Sequence, residues 1–184
     1  MPEAWRIVKA KHAAAAFTGE GAAKTGGRWN SAGVPVVYAS AAKSLAALET
    51  LVHLNPVLLF KYVIFRIEFE DRMIEAIPAR RLPKGWRIQP PPSFTKRIGD
   101  NWVRASRSAV LAVPSVIISD ELNYVLNPAH PDFQKIKVGK PNQFSFDARL
   151  LALKPHDRHK WERVEKEAVT RSRRALAGKR LENL

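Results

Sequence analysis

The clearest pattern along the chain is an alternation. In residues 61–70 (KYVIFRIEFE), Tyr62, Ile64, Arg66, Glu68 and Glu70 share one side of an extended backbone and Val63, Phe65, Ile67 and Phe69 the other. That predicts a strand with one apolar face. Residues 4–9 (AWRIVK) predict an earlier strand in which Arg6 faces opposite to Trp5 and Ile7. Residues 34–38 (VPVVY) read as a buried strand and residues 73–78 as a further short one. Residues 109–119 (AVLAVPSVIIS), the most continuously apolar stretch, read as a central strand or strand pair that Pro114 bends or ends. Helical spacing is scarcer. In residues 41–53, Ala41, Leu45, Leu48 and Val52 fall on one face, with Ser40 where an N-cap belongs. Residues 102–108 suggest a short helix. Residues 82–101, with Pro83, Gly85, Pro90-Pro91-Pro92 and Gly99-Asp100, read as a long loop, and such loops in compact domains are often functional. Asn127-Pro128-Ala129-His130-Pro131 reads as a rigid turn with a structural histidine. Past Arg149 the character changes, and residues 155–178 read as one charged helix ended by Gly178. The fold class is therefore α+β, a single domain over residues 1–150 followed by a basic helical extension over residues 151–184.

Charge sharpens this picture. The chain of 184 residues has a net charge of +14. Residues 1–149 hold 21 Lys and Arg against 12 Asp and Glu, and residues 150–184 hold 10 against 5, so both parts are basic. That balance favours a polyanion, a nucleotide ligand or an acidic partner. There is no helix-turn-helix signature, zinc finger or basic-aromatic platform, so nucleic acid is not the expected direct ligand. Cysteine is absent, which removes disulfides, cysteine metal sites and a cysteine nucleophile. A reducing compartment suits such a chain, and the expectation is cytoplasmic. The first ten residues lack the apolar core of a signal peptide, and no run approaches the ~18 apolar residues of a membrane span.

The candidate chemistry gathers in residues 26–51 (GGRWNSAGVPVVYASAAKSLAALETL). Gly26 and Gly27 allow a tight turn or a close backbone approach. Arg28 follows at once, and its planar fork can hold a phosphate or carboxylate through two hydrogen bonds. The glycines from Gly19 onward lack the spacing of a dinucleotide fingerprint or a P-loop. Glu49 lies at the margin of the helix's apolar face, beside Leu45 and Val52. Such a carboxylate is either a solvated boundary residue or one aimed into a cleft. Tyr38 ends the strand before it, and Arg6 is a second candidate anion clamp. Ser108 and Ser115 bracket the apolar run; serines there ordinarily satisfy a local backbone group. His156 and His159 have no third ligand and make a poor metal site.

Taken in order, GEGAAKTGGRWNSAGVPVVYAS, the LAALETLVHL helix, SAVLAVPSVI and NYVLNPAHPDF resemble the RES-domain family, the toxin half of bacterial RES–Xre toxin–antitoxin pairs, over about residues 5–150. The family is named for an arginine, a glutamate and a serine. Arg28 and Glu49 match the first two, and Ser108 and Ser115 both lie in the block that matches the third. The resemblance implies an ADP-ribosyltransferase-like fold. It also implies cleavage of NAD+ at its nicotinamide–ribose bond, with ADP-ribose passing to water, phosphate or a protein acceptor. NAD+ enters as substrate and no metal is called for. The resemblance makes Arg28 and Glu49 catalytic; on their own chemistry Tyr38 and Ser108 join that set, with Ser108, just before the apolar run, favoured over Ser115, and Arg6, Arg28, Tyr38 and Ser115 are the candidates for binding NAD+. An Xre-like antitoxin is the implied partner, and the basic tail is a candidate contact for an antitoxin or for another subunit of a homo-oligomer. The alternative from another class is a non-catalytic basic module that binds RNA or an acidic protein.

Overall fold

The computed structural model describes residues 1–53 and 60–151. The chain divides into two units, Met1–Ser145 and Phe146–Leu184. The second is described only as far as a short 3-10 turn, Ala148–Leu151, so the expected tail helix lies outside the described residues.

Unit one is built on a mixed sheet. Its strands are β1 (Glu3–Lys9), β2 (Val37–Ser40), β3 (Tyr62–Glu68), β4 (Ile74–Ala76), β5 (Val110–Pro114), β6 (Leu122–Leu126), β7 (Lys137–Val138) and β8 (Asn142–Phe144). They run in the order β4-β5-β6-β2-β1-β3-β7, with β8 also paired to β3. Every pairing is antiparallel except β4 with β5. Among the described residues the α-helices are α1 (Glu20–Thr25), α2 (Lys43–Leu51) and α3 (Ser93–Ala105). The α+β class holds.

Alternation along the strands divides the core in two. One cluster joins Ala4, Val37, Ala39, Ile67, Ala112 and Tyr124. The other joins Leu111, Val113 and Val125 of the sheet to Trp29, Trp86 and Trp102, with Tyr38 packed against it. Val125 and Leu126 are neighbours in sequence yet serve opposite clusters, because successive side chains leave a strand on opposite faces. β3 buries Tyr62 and Ile64 as well as Phe65 and Ile67, so both of its faces are largely covered, more than the alternation alone implied.

Several expected boundaries move. The strand expected over residues 34–38 begins at Val37 and runs to Ser40. Ser40 therefore sits in the sheet, and α2 is entered through Ala42 without a side-chain cap. In α2 the buried residues are Leu45 and Ala46, while Val52 is 61% exposed. Ala41 lies before the helix and Val52 is its C-cap, so burial centres on Leu45 and Ala46 rather than along the whole face the wheel suggested. Within the glycine-spaced loop, α1 forms a short helix that ends at Gly26, whose φ of 71° lies in the left-handed region glycine favours.

The largest correction concerns residues 82–101. The last nine of these belong to α3, which continues through residues read as a separate short helix. Phe94, Ile98 and Trp102 recur at i, i+4 and i+8, a helical stripe that the prolines and Gly99-Asp100 obscured. The prolines lie before the helix, where a missing N–H costs least, and Thr95 closes the first turn by donating to the Pro92 carbonyl at 2.8 Å. Ser106, at φ 47°, ends the helix by donating its N–H back to the Trp102 and Val103 carbonyls. A Cβ added at Gly99 would overlap the Trp29 carbonyl, so α3 seats its backbone directly on the loop that carries Arg28. Next to it, Asp100 accepts from the Ser31 N–H at 2.9 Å and the Ser31 hydroxyl at 2.6 Å.

Candidate active site

The Arg28 loop is shaped by Asn30. This asparagine is fully buried, and its Nδ2 donates to the carbonyls of Ala22, Ser31 and Val34 at 2.9–3.1 Å. Its Oδ1 accepts from the Tyr38 hydroxyl at 2.8 Å, and that hydroxyl in turn accepts from the Trp29 N–H at 3.0 Å. A Cβ at Gly27 would meet the Tyr38 hydroxyl at 2.6 Å, so only glycine leaves room for this contact. Burial pushes the Tyr38 phenol above its usual range, so it stays a protonated donor. Tyr38 thus braces the arginine loop through its hydroxyl, and only its ring is left to meet a ligand.

Arg28 reaches towards the segment before α3. Its Nη1 donates to the Trp86 carbonyl at 2.6 Å and the Ile88 carbonyl at 3.1 Å, and its Nη2 to Gln89 Oε1 at 2.9 Å. Its Nε makes no hydrogen bond among the described residues, so one edge of the fork remains for an anion. Partial burial lowers the guanidinium from its ordinary value, and the nearby Glu49 carboxylate and Tyr38 oppose that shift. Trp86 is buried against Trp29, with ring centroids 6.4 Å apart.

Glu49 is held from the sheet. Its Oε1 accepts from the Ser115 hydroxyl at 2.9 Å and from Asn123 Nδ2 at 2.5 Å. Its Oε2 has no hydrogen bond among the described residues. Ser115 lies where β5 turns towards β6, and its oxygen accepts from the N–H groups of Ile117 and Ile118 at 3.0 and 3.2 Å. The apolar run therefore stops pairing at Pro114, and residues 115–121 make the turn that delivers this serine.

Ser108 is elsewhere. It sits before the other end of β5, seven residues or about 20 Å of extended chain from Ser115. It accepts from Trp102 Nε1 at 2.8 Å and donates to the Val110 carbonyl at 3.1 Å. Both capacities are used in tying α3 to the sheet. The structure brings Ser115 to Glu49 and leaves Ser108 in the core, the reverse of the favoured sequence assignment.

Arg6 is not brought to this cluster either. Pairing places Trp5 opposite Ser40, so alternation sends Arg6 to the face of Ala4 and Ala39. Its Nε donates to the Ala16 carbonyl at 2.9 Å and its Nη1 to the Tyr38 carbonyl at 2.6 Å. Burial lowers its pKa to about 10, which leaves it a cation at neutral pH. It straps β1 to β2 and to the segment before α1. His130 accepts from the Asp132 N–H at 3.0 Å and caps the turn Pro131–Lys135, as a structural histidine would.

Sequence reasoning passed over two asparagines, Asn30 and Asn123. Asn30 bonds within eight residues of itself but in no regular spacing, and the partners of Asn123 lie 74 and 83 residues away, so no local periodicity announces either. Among the described residues no group of three or more His, Asp or Glu could hold a metal ion, and no helix is long and apolar enough to cross a membrane.

This geometry has relatives. The chain is 40% identical to the Prs ADP-ribosylating toxin of Sphingobium sp. (strain YBL2) over 154 residues, covering 80% of this chain and 95% of that one. It is 40% identical to Toxin Res of Yersinia enterocolitica over 148 residues, covering 79% and 97%. It is 37% identical to Toxin Res of Photorhabdus laumondii over 152 residues, covering 82% and 97%. Among solved structures, a chain of the M. tuberculosis MbcT–MbcA toxin–antitoxin complex superposes with a TM-score of 0.65 at 17% identity, covering 78% of this chain and 84% of that one, a likeness of fold. The RES domain itself matches residues 3–147, which contain the whole Arg28–Glu49–Ser115 arrangement, and the chain belongs to the RES domain family.

Proposed function

We propose that this chain is the toxin of a bacterial toxin–antitoxin pair, in an ADP-ribosyltransferase-like fold, and that it cleaves NAD+ between nicotinamide and ribose. The observation that carries the reading is the Glu49 carboxylate, fixed through Oε1 by Ser115 and Asn123 with Oε2 unengaged, in the electrostatic reach of Arg28. When the C1′–N1 bond breaks, its electron pair leaves with nicotinamide and the ribose carbon takes on oxocarbenium character. A carboxylate held in place stabilises that charge without having to reorganise. Arg28 supplies the cation for the pyrophosphate through the open edge of its fork, and the Tyr38 ring offers a stacking face. C1′ is then captured by a nucleophile that gives up its proton: water, phosphate or a protein side chain. The names of the relatives support a toxin, and the Sphingobium relative's name supports transfer to a protein acceptor. The fold likeness to a toxin–antitoxin complex supports an antitoxin partner, and the family resemblance implies an Xre-like one.

The test is NAD+ turnover by the purified full chain, followed by nicotinamide release, with mass spectrometry of the ADP-ribose product in buffers with and without phosphate and with cell extract as acceptor. Glu49→Gln keeps an oxygen for Ser115 and Asn123 but loses the charge. The expected fall in kcat is about 10²–10³-fold, the cost of one transition-state contact of ~3–4 kcal/mol. NAD+ that stays intact with the wild-type protein under every condition sinks this reading.

A further inference from the structure

Behind Glu49 lie two polar side chains with no evident part in contacting a ligand. Ser40 of β2 is 4% exposed, and Asn123 of β6 is its direct partner across the strand pair. The Ser40 hydroxyl donates to Asn123 Oδ1 at 2.7 Å, and Asn123 Nδ2 donates to Glu49 Oε1 at 2.5 Å. With Oδ1 engaged by Ser40, the amide has only its NH2 end to offer the carboxylate. The opposite orientation would set Oδ1 against a negative charge. The second donor to Oε1 is constrained in the same way. Ser115 already accepts two backbone N–H groups, so its single proton goes to Glu49. Two oriented donors therefore converge on one carboxylate oxygen from the sheet, while its twin receives none among the described residues. A glutamate on a helix has three side-chain torsions, and leaving them free would spread the carboxylate over several positions.

We propose that Asn123, itself oriented by Ser40, is a positioning residue that locks the Glu49 carboxylate so that Oε2 faces the ribose. The proposal rests on the NAD+-cleaving function above. It gives Ser40 and Asn123 a role in kcat rather than in substrate binding, because neither touches the substrate.

Steady-state nicotinamide release by the full chain tests it in Asn123→Ala, Asn123→Asp, Ser40→Ala and the double variant Ser40→Ala/Asn123→Ala. Asn123→Ala is expected to lower kcat about 30–100-fold with KM changed less than about threefold, as for a loss felt at the transition state. Asn123→Asp keeps the shape and the Ser40 bond but offers no donor, and falls as far as alanine. Ser40→Ala loses about fivefold, the scale of one neutral hydrogen bond. The double variant is no slower than Asn123→Ala alone, because Ser40 acts only through the amide. Wild-type kcat in Asn123→Ala or Asn123→Asp, or a Ser40 effect that persists without Asn123, overturns the proposal. A failure of the functional reading looks different: no NAD+ cleavage by the wild type, or an unimpaired Glu49→Gln. In that case the crystal structure of Asn123→Ala decides positioning by itself. A displaced Glu49 carboxylate supports the lock, and an unmoved one refutes it.

Discussion

Arg28 and the two serines carry residue-scale consequences that differ in kind. Arg28 uses Nη1 and Nη2 to hold the Trp86, Ile88 and Gln89 segment, so its guanidinium is fixed before any ligand arrives. Lysine has a single ammonium and cannot both hold that segment and present an edge to a phosphate. Arg28→Lys is therefore expected to lose at least about tenfold in kcat/KM, measured by nicotinamide release; wild-type kinetics would show that charge alone is enough there. Ser115→Ala removes a donor to Glu49 and the acceptor for two turn N–H groups, and is expected to lower kcat by about 10–100-fold. Ser108→Ala orphans the Trp102 indole N–H in the core, which costs about 1–3 kcal/mol of stability and leaves kcat per folded molecule unchanged. Denaturant titration and turnover on the same samples separate the two. Lost turnover in Ser108→Ala with stability intact would restore Ser108 to the site.

At the scale of elements, α3 is the support on which the arginine loop rests. Gly99 brings its backbone against the Trp29 carbonyl and Asp100 ties it to Ser31. In a solvent-exposed helix, Gly→Ala stabilises by about 1 kcal/mol. Here the added methyl overlaps a main-chain carbonyl that cannot swing aside as a side chain would. Gly99→Ala is expected to reverse the sign, destabilising by about 1–3 kcal/mol and lowering turnover as the Arg28 loop shifts. A variant more stable than the wild type in urea would show that α3 does not press on that loop. The same element explains why Pro90-Pro91-Pro92 was misleading. A proline cluster ends helices when approached from the N-terminal side, but it also precedes them, and only the Phe94–Ile98–Trp102 stripe tells which.

For the whole molecule, the RES domain match ends at residue 147 and the first compact unit at Ser145. Every side chain placed in the candidate site lies before that point. A chain ending at Leu150 is therefore expected to fold with an unchanged melting temperature, within about 2 °C on the scale of a small stability change, and to keep NAD+ turnover. An inactive but folded truncation would assign the remaining residues to the site. With a net charge of +14, association with any acidic macromolecular partner is expected to slow as salt rises, a steering effect that truncation weakens.

Sequence alone determined what local chemistry dictates. β1 and β3 follow from alternation, the Gly26-Gly27-Arg28 turn from glycine's freedom, and the candidacy of Glu49 from its place at a helix margin. Those features depend on neighbours within about one turn of chain, and such neighbours are written in order. Tertiary structure decided which serine Glu49 meets, because Ser108 and Ser115 look alike in sequence and differ only in the end of β5 they occupy. It also decided that Arg6 faces away from Glu49, that Tyr38 spends its hydroxyl on the loop, and that Asn30 and Asn123 are polar centres of the candidate site. Each of these depends on pairings across 8 to 83 residues of chain. A hydrogen bond at that separation is set by strand register and helix docking, and no local periodicity encodes it.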